Sequence, residues 1–122
     1  MAKQPLISIV DDNGAVREAI ARQLKSCGYV TQTFESAAAL LGSDARTLTD
    51  CLIVDMQMPG MTGLELYARL AAAGEQIPTI LITAHPDENL RASALRAGVL
   101  GYLAKPCNAE DLLGCVRRAL GR

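Results

Sequence analysis

Five short apolar runs alternate along this chain with five stretches of helical periodicity, and few folds accept that order. A parallel strand pair needs a long crossover, which is usually a helix, so the alternation predicts one parallel sheet covered on both faces. The runs fall at Leu6–Val10, Val30–Phe34, 51–54, 79–82 and Gly101–Ala104. The third is uniformly apolar, as expected of a central strand. The second alternates Val30, Gln32 and Phe34 with Thr31 and Thr33, which fits an edge. Helices are predicted at 15–27, from a Ser36 cap through Leu41, and at 64–73, Glu88–Ala97 and 109–120. Gly28, Gly74 and Gly98 stop the first, third and fourth. Asn108 and Asp111 resemble a capping box for the fifth, whose inward stripe is Leu112, Leu113, Val116, Ala119 and Leu120. The polar stretch 42–50 reads as a loop, and so does the turn-rich 56–63.

What stands at the ends of these runs carries the chemistry. The first runs into Asp11 and Asp12, the third into Asp55, the fourth into Thr83 and the fifth into Lys105. Parallel strands align their carboxyl ends on one sheet edge, where open α/β folds build their sites. Neighbouring strands lie about 4.8 Å apart, so adjacent first and third strands bring the three carboxylates within reach of one ion. Three carboxylates against one ammonium leave a net negative cluster, unfavourable unless protonated or neutralised. An all-oxygen ligand set of this size suits Mg2+, which completes its shell with water and phosphate. Asp55, alone at its strand end, is then the natural phosphoryl acceptor, with the Asp11-Asp12 pair as metal holder. Lys105 balances charge on the transferring group, and Thr83 donates a hydrogen bond to it.

Composition narrows the rest. The 122 residues are read as one domain, 1–122, long enough to bury roughly two thirds of its unfolded surface. A net charge of −1 and no basic stripe leave no footprint for nucleic acid, and Arg117, Arg118 and Arg122 read as a solvated helix end. The apolar runs are far too short to span a membrane, and Asp11 and Asp12 interrupt the only candidate signal segment, so the expected location is cytoplasmic. Cys27, Cys51, Cys107 and Cys115 form no CxxC pair or metal-ligand spacing and read as free thiols; Cys107 lies beside the Lys105-Pro106 turn. His85 is the only histidine and carries no metal reading.

Val10-Asp11-Asp12-Asn13, Leu52 through Gly63, Ile80-Leu81-Ile82-Thr83-Ala84 and Ala97 through Pro106 come in order over essentially the whole chain. At these spacings the chain resembles a receiver domain of bacterial two-component response regulators, with a flavour similar to the FixJ-like transcription regulators. The resemblance implies a flavodoxin-like, doubly wound sheet of five parallel strands in the order 2-1-3-4-5, with five helices. It implies Asp55 as phosphoacceptor for a sensor histidine kinase. Mg2+ would be held by Asp12 and Asp55 directly, by Asp11 mostly through water, and by the Gln57 backbone carbonyl. Thr83, Ala84 and Lys105 would bind the phosphoryl group, with Thr83 and Tyr102 as a switch pair and a cis peptide between Lys105 and Pro106. The surface of the fourth helix, fifth strand and fifth helix would change on phosphorylation and control an output such as transcription, by homodimerisation or by binding a partner. The chain would promote only its own phosphorylation and dephosphorylation.

Departures from the family pattern fall around the site. Cys107 stands where a bulky aromatic often follows the Lys-Pro pair, and Thr62 replaces a frequent acid. Gln57 and His85-Pro86 flank the acceptor, where residue choice tunes phosphoryl lifetime. Two alternatives stay open on the sequence. One is a phosphorylation-independent interaction module, with Asp11, Asp12 and Asn13 serving only as helix caps. The other is a haloacid-dehalogenase-like phosphatase, which would need its nucleophile on the first strand and a second acid where Asn13 stands.

Overall fold

The computed structural model describes residues 4–121. In chain order the elements are β1 (Leu6–Val10), α1 (Gly14–Ser26), β2 (Val30–Phe34), α2 (Ala37–Leu41), α3 (Ala45–Leu48), β3 (Cys51–Asp55), α4 (Gly63–Ala72), β4 (Thr79–Thr83), α5 (Glu88–Ala97), β5 (Gly101–Ala104) and α6 (Ala109–Ala119). All four strand pairings are parallel, and the sheet order is β2-β1-β3-β4-β5.

Side chains alternate across a strand, and that period divides the core in two. Ile7, Ile9, Cys51, Ile53, Ile80 and Ile82 face one side, where they meet Ile20 and Leu24 of α1 and Leu112 and Val116 of α6. Val10, Leu52, Val54 and Leu81 face the other, against Leu40 of α2, Leu66 and Leu70 of α4 and Ala94 of α5. Both faces of β1, β3 and β4 are therefore covered, which is why those segments are continuously apolar. β2 lies at the edge and is mostly exposed, as its alternating sequence predicts.

Among the described residues the expected five helices become six. The stretch 42–50 is not a plain loop, because it contains α3, a single turn with no apolar period to announce it. Contacts beyond the turn hold it in place. Thr49 Oγ1 donates to the Ala45 carbonyl at 2.6 Å and meets Ser8 Oγ of β1 at 2.6 Å. The fourth and fifth helices of the sequence reading are thus α5 and α6. The reciprocal capping box forms at α4, where Thr62 and Glu65 exchange bonds of 2.9 and 3.1 Å. At α6, Asn108 Oδ1 accepts from the Glu110 and Asp111 amides.

Candidate functional site

Register brings the strand ends together. Val10 pairs with Val54, so Asp11 and Asp55 leave adjacent strands side by side. Thr83 pairs with Ala104, which places Lys105 immediately beyond it. β3 and β4 each run one residue further than the apolar pattern, so Asp55 and Thr83 are themselves strand residues. Strand backbone fixes their direction more firmly than a loop would.

At this edge Asp11, Asp12 and Asp55 each offer a carboxylate oxygen within 4.8 Å of the others. Asp11, Asp55 and Thr83 are buried, while Asp12 is exposed. Lys105 Nζ reaches between the strands, 2.9 Å from Asp11 Oδ2 and 3.3 Å from Asp55 Oδ1. Burial raises the Asp55 pKa and the Asp11 charge adds to it; Lys105 and the Gln57 N–H pull the other way, and the net is upward. At Lys105 burial favours loss of the proton, but the Asp11 and Asp55 carboxylates outweigh it and hold the ammonium charged.

Helix capping does not account for the acids. Asn13 is the α1 cap, with its Oδ1 accepting from the Ala15 and Val16 amides at 3.0 and 3.2 Å. Asp11 Oδ1 accepts from the Asn13 amide at 2.9 Å. Asp11 Oδ2 is sealed from solvent and engaged by the Lys105 ammonium at 2.9 Å. A buried carboxylate beside two further carboxylates, an all-oxygen donor set, fits a hard cation such as magnesium.

The remaining expected residues surround this cluster. Gln57 donates its backbone N–H to Asp55 Oδ1 at 3.3 Å. Its side chain takes a part the sequence does not announce, because Thr83 Oγ1 donates to Gln57 Oε1 at 2.7 Å. The same hydroxyl accepts the His85 N–H at 3.0 Å. Ala84 follows β4 and is exposed, and the Lys105–Pro106 peptide bond is cis. The Tyr102 ring packs against the cluster behind α4 and α5, and its hydroxyl accepts the Asp87 N–H at 3.3 Å. Arg17 is an addition, since its Nη1 donates to the Asp11 carbonyl at 2.7 Å. Its signal in the sequence is slight, a cation one turn past the Asn13 cap. Gly63 is another, because a Cβ there would lie 2.6 Å from the Asp55 carbonyl oxygen. Cys107 is half-buried beside Pro106, and burial raises its thiol pKa; burial also pushes the Cys51 thiol up to about 12.

A family model for the response regulator receiver domain matches residues 7–117. The chain belongs to that family. This receiver domain is 42% identical over 118 residues to the response regulator protein TmoT of Ectopseudomonas mendocina, covering 97% of this chain and 54% of TmoT. The transcriptional regulatory protein FixJ of Azorhizobium caulinodans is 36% identical over 116 residues, 95% of this chain and 55% of FixJ. The chain thus spans about half the length of the curated relatives it matches. Among solved structures, the response regulator StyR superposes with a TM-score of 0.89 at 36% identity, over 98% of this chain and 60% of StyR. FixJ-N superposes at 0.86 with 30% identity, over 99% of this chain and 97% of that one. The flavodoxin-like architecture is therefore the receiver fold. The phosphatase alternative falls with the family, and the position where it needs a second acid holds the Asn13 cap. Receiver domains generally bind magnesium at an acidic pocket, as the Asp11, Asp12 and Asp55 cluster provides. Among the described residues no helix is long and apolar enough to cross a membrane.

Proposed function

We propose that this receiver domain accepts a phosphoryl group on Asp55 from a sensor histidine kinase and passes the charge change to the surface of α5, β5 and α6. The observation that carries the reading is the strand-end cluster of three carboxylates with one ammonium among them. Asp11, Asp12, Asp55 and the Gln57 backbone carbonyl are the groups that would hold Mg2+. The chemistry the ion supplies when bound is charge neutralisation and orientation of the phosphoryl oxygens.

The chain's own residues do the rest. The Lys105 and Gln57 N–H contacts both fall on Asp55 Oδ1, which leaves Oδ2 as the attacking oxygen. Its lone pair forms the Oδ2–P bond as the P–N bond to the donor histidine breaks, and the imidazole leaves with the electron pair. Lys105 then balances the new charge, and the Ala84 amide and Thr83 hydroxyl supply neutral donors to it. Phosphorylation adds about −1.5 to −2 units of charge at this point.

The loop into α5 offers the route outward. Thr83 Oγ1 accepts the His85 N–H, and the Tyr102 hydroxyl accepts the Asp87 N–H. Asp87 in turn caps α5 through the Asn89 and Leu90 amides. Movement of Thr83 toward a phosphoryl group, with the Tyr102 ring following inward, releases both bonds and frees the start of α5. The reading includes a homodimer through this face and a cytoplasmic location, and the relative FixJ, a transcriptional regulatory protein, supports a transcriptional output.

Intact mass after incubation with acetyl phosphate tests the reading. One phosphoryl gain, dependent on magnesium and absent from Asp55→Asn, is expected. A gain that persists in Asp55→Asn, or no gain by the folded wild type, contradicts it, the latter leaving a phosphorylation-independent interaction module.

A further inference from the structure

A threonine hydroxyl has one proton to give, and in this structure that proton is already committed. Thr83 Oγ1 donates to Gln57 Oε1 at 2.7 Å, and its acceptor side takes the His85 N–H at 3.0 Å. Thr83 is fully buried, so its hydroxyl is shielded from solvent on the donor side. Gln57 is exposed, stands two residues beyond Asp55, and is fixed at its backbone by the bond to Asp55 Oδ1. The residue that flanks the acceptor therefore also occupies the hydroxyl that the phosphoryl group needs.

We propose that Gln57 is a positioning residue that latches Thr83 in the unphosphorylated arrangement, through its side-chain amide oxygen. The proposal rests on the phosphoacceptor reading of Asp55. Because the hydroxyl has a single proton, it serves Gln57 or the phosphoryl oxygen, never both. A phosphoryl oxygen is the stronger acceptor, since charge-assisted bonds exceed neutral ones, so phosphorylation displaces the latch. The displaced bond nevertheless subtracts from the drive toward the active arrangement. Its removal favours that arrangement by roughly two- to tenfold, the range for one neutral intramolecular hydrogen bond.

The test is calorimetric titration of the whole chain with beryllofluoride in excess magnesium, beryllofluoride standing in for the phosphoryl group. Gln57→Met keeps the length of the side chain and the backbone carbonyl while removing the acceptor. It is expected to tighten binding by roughly two- to tenfold. In a Thr83→Val background, where no hydroxyl remains to be latched, the same change is expected to have no effect. Gln57→Glu retains an acceptor and is expected not to tighten binding, which keeps the test decisive should Thr83→Val fail to fold. Equal or weaker binding by Gln57→Met, equal tightening without the hydroxyl, or tightening by Gln57→Glu overturns the latch alone. Wild-type protein that binds no beryllofluoride overturns the phosphoacceptor reading and the latch together.

Discussion

At Asp55, burial and the Asp11 carboxylate both favour the protonated acid, and Lys105 with the Gln57 N–H only partly offsets them. The consequence for stability has a definite sign. A carboxyl whose folded pKa lies above its ordinary value of 3.8 destabilises the fold as pH rises through the interval between the two. Below that interval the acid is neutral in both states and nothing is lost. Lys105 has the same pH direction at the alkaline end, where the stability its charge contributes below its ordinary 10.5 is lost as pH rises through its higher folded value. Asp55→Asn is therefore expected to unfold at higher denaturant than wild type near neutral pH in EDTA. The advantage shrinks as pH falls toward the ordinary carboxyl value, and it narrows when magnesium is added, because the ion relieves the same repulsion. Urea titrations at several pH values check this, and an Asp55→Asn midpoint at or below wild type in EDTA would count against a strained cluster. Asp11, Asp12, Asp55, Thr83 and Lys105 were legible in the sequence because each ends or follows an apolar run, and strand register aligns such ends. The Gln57 and Arg17 side-chain contacts were not. They depend on rotamers across 26 residues in one case and on a helix turn folding back in the other, which no periodicity records.

Elements show the same division between what is local and what is not. The strands announced themselves because β1, β3 and β4 are buried on both faces. The α3 turn did not, since it is held by the long-range Ser8–Thr49 contact rather than by any pattern of its own. The start of α4 separates two kinds of support. Thr62 and Glu65 cap the helix in solvent, and their reciprocal bonds hold the Glu65 carboxylate below its usual pKa. Gly63, one residue on, instead lets the helix close onto the Asp55 backbone. Thr62→Ala is expected to cost about 1 kcal/mol and leave phosphoryl uptake intact. Gly63→Ala forces a Cβ to within 2.6 Å of a backbone oxygen that cannot swing aside, so α4 and the end of β3 must part. A loss of about 1–3 kcal/mol with slower uptake is expected. Denaturation paired with the rate of mass gain separates the two, and normal uptake by Gly63→Ala would show that the contact does not position Asp55.

Across the whole molecule, the sheet order does the assembling. Residues from β1, β3, β4 and β5 meet only because β1 and β3 lie side by side at the centre, with β4 and β5 following on one flank. The two cores hold that edge rigid from both faces while the loop to α5 hangs on two hydrogen bonds, from His85 and Asp87. A rigid site beside a lightly fastened loop is the arrangement a charge-driven switch needs, because the new charge then moves the loop rather than the site. All of this depends on the phosphoryl group forming its bond at one carboxylate among three. The most direct measurement is borohydride reduction of the protein after treatment with acetyl phosphate and magnesium, followed by peptide mass mapping. An acyl phosphate is reduced to the alcohol, so Asp55 is expected to be converted to homoserine, with Asp11 and Asp12 unchanged. Homoserine at Asp11 or Asp12, or no conversion in protein that has gained the mass of a phosphoryl group, would contradict it.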